Sequence, residues 1–332
     1  DDAYSEWYQK RFGEVLNRRH LLPVQHSLQG HPESGKMWMK LIDKVLIKDM
    51  GFTSTTHDRC VYRIDWEGKM VLVLRQVDDF MIACTKEKIA SDITNIIGTK
   101  VRFKSEEKRG ELPIQFLGLV DDYNGVDINQ TDSYIEMSAK RYLERFLASH
   151  GWDIPSDKID EAFQDCMKSS KPLAPLPMDS ILQLFSQEGP RENTSEFHAL
   201  EKASGFSYRT VLGEMMYSYI TARPDIGFAI TTLSKFPSCL SAYHYSKLKG
   251  VAKYLRSTIG WGIRFKRPKK LDHLPKGEKY VLVEIDEFKF PVNINVPILK
   301  CFVDASHATD PRRMRSITSL VFTFYGGAIA YK

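Results

Sequence analysis

Cysteine is scarce in this chain and never spaced as a pair. Five residues, Cys60, Cys84, Cys166, Cys239 and Cys301, are scattered over 332 positions without a Cys-x-x-Cys among them. Neither a disulfide framework nor a zinc site is therefore expected, and a reducing intracellular setting is the default reading. Long apolar runs are missing too: none approaches the roughly 20 residues needed to cross a bilayer, and no signal-peptide pattern is read in the first residues, so no membrane partner is expected. No charge of one sign dominates either, since 47 basic residues stand against 42 acidic ones for a net +5, a mild excess that suits a nucleic-acid partner without requiring one. Internal repeats and long low-complexity tracts are absent. What remains is 42% hydrophobic content over a length sufficient for two or three domains, as in an ordinary globular protein. The chain opens without Met and stops in the strand-like run Gly326 to Lys332, so it is expected to be a piece of something longer.

The densest chemical signal is Val71 to Ala83, in which Asp78 and Asp79 stand between two short apolar runs. Val71 to Leu74 and Phe80 to Ala83 have the β-branched and aliphatic content of buried strands, and so few residues separate them that a tight hairpin follows. The acidic pair then falls on the turn. Adjacent carboxylates repel unless cations neutralise them, and hard divalent ions with oxygen ligands are the natural partners. Asp-Asp is also plain turn chemistry, because Asp bonds readily to its own backbone.

Around this hairpin the pattern is that of an α+β unit. Trp38, Leu41, Ile42 and Val45 recur at helical spacing, with Gly51 as a stop signal. Cys60 to Ile64 and Met70 to Leu74 read as strands about the turn Trp66-Glu67-Gly68, and Lys86 to Ile97 as a helix. Beyond them a hairpin is expected over Ile114 to Val120 and Val126 to Asn129, then a helix over Ser138 to Ser149. From Ile154 to about Glu201 the pattern decays into Pro, Ser, Asp and Lys, including Lys171 to Pro177, and reads as a linker. Helices resume at Tyr208. Pro224 stands at a first helical position ahead of an apolar face of Ile226, Ala229, Ile230 and Leu233. In the next helix Leu248, Val251, Ala252 and Leu255 form the buried stripe, while Lys249, Lys253 and Arg256 share another face. Such a basic row is either a solvated surface or a contact for phosphates. Tyr280 to Glu284, Ile298 to Asp304 and Ser319 to Tyr325 read as strands of a second sheet.

Several separated segments resemble one family. Ser27-Leu28-Gln29-Gly30 with Trp38, then Val77-Asp78-Asp79, then Gly110-Glu111-Leu112 with Phe116-Leu117-Gly118 and Tyr134-Ile135, are similar in order and spacing to the reverse transcriptase of Ty1/copia-type retrotransposon polyproteins. Tyr208-Arg209 with Leu212-Gly213, Arg223-Pro224-Asp225-Ile226, Lys253 to Arg256 with Thr258 and Gly260, and Phe302-Val303-Asp304-Ala305 with Arg312-Arg313, Ser316 and Thr318 continue the resemblance into the start of ribonuclease H. It covers roughly residues 21 to 332.

The resemblance implies an α+β chain: a partial reverse-transcriptase palm and thumb over 1–153, a linker over 154–205, a helical connection over 206–266, and a partial ribonuclease H-like α/β sheet over 267–332. It implies an RNA-directed DNA polymerase using Mg2+ or Mn2+, with RNA template, DNA primer and deoxynucleoside triphosphates as partners beside the remainder of the polyprotein, in a cytoplasmic virus-like particle with a nuclear phase. Asp78 and Asp79 would be the catalytic, metal-holding pair and Asp304 the first ribonuclease H carboxylate. Gly30, Gln76, Lys249, Lys253 and Arg256 would contact nucleotide or template. The chain also departs from the family pattern. Gln76 replaces the usual Tyr, His31 to Ser34 replace Leu-Lys-Gln-Ala, and Ser306-His307 replace Asp-Trp. The catalytic Asp expected upstream of Ser27 has no strand to carry it, and the later ribonuclease H acids are not in the chain. Weak or absent catalysis is therefore expected of this stretch. Two other readings stay open: a nucleic-acid-binding remnant without catalysis, and an unrelated metal-dependent nuclease, which leaves Arg223 to Ile226 unexplained.

Overall fold

A computed structural model describes residues 2–15, 30–102, 110, 112–153, 174–236, 238–267, 280–285, 288–293, 299–305 and 316–332. The chain divides into two compact units, Asp1–Leu119 and Val120–Lys332. The fold is mixed helix and antiparallel sheet, so the α+β expectation holds.

In the first unit, helix α1 (Asp2–Phe12) precedes α2 (Ser34–Asp43), which runs on without a break into a π-helical stretch, Lys44–Asp49. Ile42, Val45 and Leu46 line its buried side, and Gly51 ends it in the left-handed region at φ 80°. Strands β1 (Thr53–Ser54), β2 (Val61–Trp66), β3 (Lys69–Gln76) and β4 (Asp79–Ala83) form one antiparallel sheet in that order. The pleat sends alternate residues to opposite faces, and in β3 it buries Val71, Val73 and Arg75 on one side. Helix α3 (Glu87–Val101) supplies Ile89, Ile93, Ile97 and Val101, four residues apart, to the same core as Phe52, Tyr62, Val71 and Val73.

The second unit joins a meander to a helical core. Strands β5 (Asp122–Tyr123), β6 (Val126–Gln130) and β7 (Tyr134–Ser138) are extended by β8 (Gly262–Lys266), which arrives after the helices and pairs with β7. Between them lie α4 (Lys140–Ser149), α5 (Ser180–Ser186), α6 (Ser195–Ser204), α7 (Tyr208–Thr221), a 3-10 turn at Pro224–Ile226 leading into α8 (Gly227–Leu233), and α9 (Ala242–Ser257). Leu143, Leu147, Leu184, Val211, Met215, Ile230, Leu248 and Leu255 make one shared core. The hairpin β9 (Tyr280–Ile285) with β10 (Phe288–Asn293) and the sheet of β11 (Lys300–Ala305), β12 (Thr318–Phe324) and β13 (Gly327–Tyr331) complete the chain.

Four expectations are corrected. Ile114 to Val120 is not a strand: the arm pairing with β6 is the two-residue β5, and Leu117 is 91% exposed. Ile114 packs against the core of the first unit instead, and an apolar run without a cross-strand neighbour has no ladder to make it a strand, so its content misleads. The helix expected from Ser138 starts at Lys140, because Ser138 still pairs in β7 with Gly262. Within the expected linker, residues 154–173 lie outside the described ones, but from Leu176 onward the stretch buries Leu176, Ile181, Leu184 and Phe185 and carries α5 and α6. The residues 206–266, read as a helical connection, also hold a strand, β8, which completes a sheet begun more than a hundred residues earlier.

Candidate functional site

The turn at Val77 and Asp78 is the shortest that can join β3 to β4, since Gln76 already pairs with Asp79. Two-residue hairpin loops need positive φ at their first central position to match the strand twist, and Val77 takes φ 56°. A β-branched residue there is strained by about 1–3 kcal/mol, which surrounding contacts must offset. Two donors converge on its carbonyl: the Trp38 indole Nε1 donates to Val77 O at 2.6 Å, from 39 residues away, and Arg75 Nη1 donates at 3.5 Å. The backbone is thereby held with the Asp78 and Asp79 side chains both exposed. Trp38 is visible in the sequence only as one residue of a helical stripe. Nothing there says that its ring nitrogen ties the helix to the acidic turn.

Arg75 is the odd member of this unit. Its side chain is buried, 6% exposed, yet no carboxylate among the described residues forms an ion pair with it. Nη2 reaches Cys60 Sγ at 3.4 Å, and Nε is buried with no partner. Beside it the Tyr62 hydroxyl donates to Asp43 Oδ1 at 2.5 Å. Burial, reinforced by that carboxylate, pushes the Tyr62 phenol up to about 12.

As a place for divalent ions, the turn offers two exposed carboxylates. Among the described residues no group of three or more His, Cys, Asp or Glu comes together to hold a metal. Mg2+ is commonly held by one or two carboxylates, with waters and substrate phosphates as its remaining ligands, so among the described residues the turn supplies the protein share of such a site and no more. Asp304, on the edge strand β11 of the second unit, is exposed, and its carboxylate accepts from the Ala305 backbone N–H at 2.9 Å. Gln76 is exposed at the last rung of the hairpin opposite Asp79. Gly30 is exposed at φ 84° with open space where a side chain would stand, while Ser27 to Gln29 lie outside the described residues.

The three basic residues of α9 do come together. Lys249, Lys253 and Arg256 line a groove of about 420 Å³ with Trp152, Ser246, Gly250 and Ala252. The Lys249 Nζ lies 5.7 Å from the Trp152 ring centre, and Arg256 Nη1 donates to the Trp152 carbonyl at 3.4 Å. Trp152 was not singled out from sequence, being a lone aromatic at the edge of the expected linker.

Arg223-Pro224-Asp225-Ile226 proves architectural. The Arg223 side chain, 1% exposed, donates through Nε and Nη2 to both Asp225 carboxylate oxygens at 2.9 and 2.7 Å. It also donates to the Thr258 carbonyl and hydroxyl at 3.0 and 2.6 Å, and the Tyr254 hydroxyl donates to Asp225 Oδ2 at 2.8 Å. Burial, with Asp225 alongside, raises the Tyr254 phenol far above its usual range. Two motifs read separately in the sequence thus form one clamp across α9 and the turn before α8.

Comparison with known proteins gives the chain its relatives. It is 25% identical over 323 residues to a retrovirus-related Pol polyprotein from transposon TNT 1-94 of Nicotiana tabacum, 96% of this chain but 20% of that protein. It is 21% identical over 74% of its length to the corresponding polyprotein from transposon RE1 of Arabidopsis thaliana, of which it covers 14%. A putative transposon Ty5-1 protein of Saccharomyces cerevisiae is 22% identical over 78% of this chain and 72% of that protein. No protein-family profile matches the chain, and no solved structure matches it significantly. The chain therefore spans a fifth or less of the two Pol polyproteins and, over most of its own length, is similar to retrotransposon Pol polyproteins.

Proposed function

We propose that the chain is the reverse-transcriptase region of a Ty1/copia-type retroelement polyprotein, running into the start of ribonuclease H, and that its chemistry is nucleotidyl transfer onto a DNA primer directed by an RNA template. The observation that carries this reading is the β3–β4 turn. A strained two-residue loop, tied down by Trp38 and Arg75, holds two adjacent carboxylates out to solvent, and among the described residues no ion pair occupies them. In a polymerase, bound Mg2+ or Mn2+ would activate the primer hydroxyl and stabilise charge on the transferring phosphate. In this chain Asp78 would be the ligand, Asp79 its neighbour, Gln76 and Gly30 the nucleotide-side contacts, and Asp304 the first carboxylate of the ribonuclease H part. The remainder of the polyprotein would supply the missing acids, and the particle-borne, partly nuclear life of such elements would be its setting.

Primer extension on an RNA template tests this. The chain by itself is expected to incorporate weakly or not at all. A longer stretch of the parent polyprotein is expected to incorporate and to lose at least a hundredfold on Asp78→Asn. Full activity of that variant would overturn the proposal. The second reading, a nucleic-acid-binding remnant without catalysis, draws on the incomplete acid set about Asp78 and Asp79 among the described residues. Salt-dependent duplex binding with no incorporation by the longer stretch would favour it.

A further inference from the structure

The groove on α9 has features that a solvated basic face does not need. Lys249, Lys253 and Arg256 lie four and three residues apart, which at about 1.5 Å rise per residue spreads three cations over about 10 Å of one face. No carboxylate lines the groove among the described residues, and no ion pair with Asp or Glu involves Lys249, Lys253 or Arg256. The Arg256 Nε is buried with no hydrogen-bond partner. One wall is Trp152, itself fixed from behind by edge contacts with Phe146 and Phe206 and by the stacked ring of His150 at 4.9 Å. The floor is Gly250, in mid-helix. It has no positive φ, and a Cβ added there would meet nothing within 4 Å. Glycine is a poor helix former. Neither backbone conformation nor close packing explains it here, whereas an unobstructed floor between Lys249 and Lys253 does.

We infer that this groove is a docking site for a single nucleic-acid strand, with backbone phosphates on Lys249, Lys253 and Arg256 and a base or sugar against the Trp152 indole over the bare floor at Gly250. Charge selects an anion, and the aromatic wall selects one that carries rings, as in sequence-tolerant single-strand binding. The inference deepens the proposed function and rests on nucleic acid being the partner. It does not need Asp78 or Asp79 to be catalytic.

The test is fluorescence anisotropy of a labelled single-stranded oligonucleotide with the full chain, at several salt concentrations. Lys249→Ala and Lys253→Ala are each expected to lower the salt slope by about one ion. Gly250→Leu, which fills the floor with a better helix former, is expected to weaken binding about tenfold or more while leaving the melting temperature unchanged or higher. Inorganic polyphosphate of matched charge is expected to compete at least tenfold less well than the oligonucleotide. Wild-type affinity in Gly250→Leu, equal competition by polyphosphate, or no binding by the parent chain would each overturn the inference. Asp78→Asn with Asp79→Asn is expected to bind like the parent. Loss of incorporation when the same two substitutions are made in the longer polyprotein stretch, with binding by this chain intact, separates the groove from the polymerase proposal, and loss of binding in the substituted chain would overturn the assignment of the strand to the groove.

Discussion

Among the described residues two arginines are buried, and they are treated in opposite ways. Arg223, in the second unit, spends its guanidinium on a carboxylate, a carbonyl and a hydroxyl. Arg75, in the first, meets a thiol and a distant carbonyl and leaves one nitrogen unmatched. A buried charge with each of its three guanidinium nitrogens bonded holds a fold in one arrangement. One left partly unmatched beside a strained turn and two exposed carboxylates marks a place where structure has yielded to another requirement. The more specific sequence motif, Arg223 to Ile226, is a structural clamp, and the shorter one, Val77 to Asp79, is a strained reversal with two exposed carboxylates.

The sharpest way to break the comparison is Asp225→Ala. Stranding the Arg223 charge should destabilise the second unit by about 3–5 kcal/mol, as for other buried pairs cut on one side, read as a fall in the denaturant midpoint. A loss under about 1 kcal/mol would mean the clamp is not what holds α9 to the turn before α8.

In the first unit the largest effect belongs to pH. The Tyr62 phenol rises from 10 unfolded to about 12 folded, so the folded state keeps its proton longer. Its contribution, up to about 2 kcal/mol, is present in full below pH 10 and fades as pH climbs through 12. Tyr142 and Tyr331, also pushed up to about 12, titrate in the same window. The difference between the parent and Tyr62→Phe in alkaline denaturation isolates this term, and identical profiles would remove Tyr62 from the account.

Smaller again is Trp38→Phe, which keeps an aromatic ring against the core but loses the indole N–H bond to Val77 O and part of the ring's packing. A cost of about 1 kcal/mol is expected, accompanied by faster amide exchange in the β3–β4 turn. The least effect is expected from Arg75→Met. With no carboxylate left behind, stability should move by under about 1 kcal/mol in either direction. A loss as large as that of Asp225→Ala would erase the distinction between the two arginines.

Much of the local structure was legible in the sequence. The stripes Ile226, Ala229, Ile230, Leu233 and Leu248, Val251, Ala252, Leu255 are buried as their spacing requires, and the acidic turn sits where two short apolar runs demanded a hairpin. Helices α5 and α6 were hidden because α5 is one short apolar segment among Pro and Ser, and only its neighbours in the shared core reward its folding. The groove was half legible: helical periodicity aligns Lys249, Lys253 and Arg256, but nothing local brings Trp152 to their side.

By itself the sequence determined which residues share a face, where chain reversals fall, and that two acids stand at one reversal, Asp78 in the turn and Asp79 opening β4, because these follow from periods of 2 and 3.6 and from backbone sterics over a few residues. Tertiary structure alone decided that Trp38 reaches Val77 and that β8 returns to β7. It alone joined Arg223 to Thr258 and left Arg75 without a carboxylate. Each of these depends on which distant segments pack into a common core, and the gain from that packing is spread over many side chains rather than written in any one stretch.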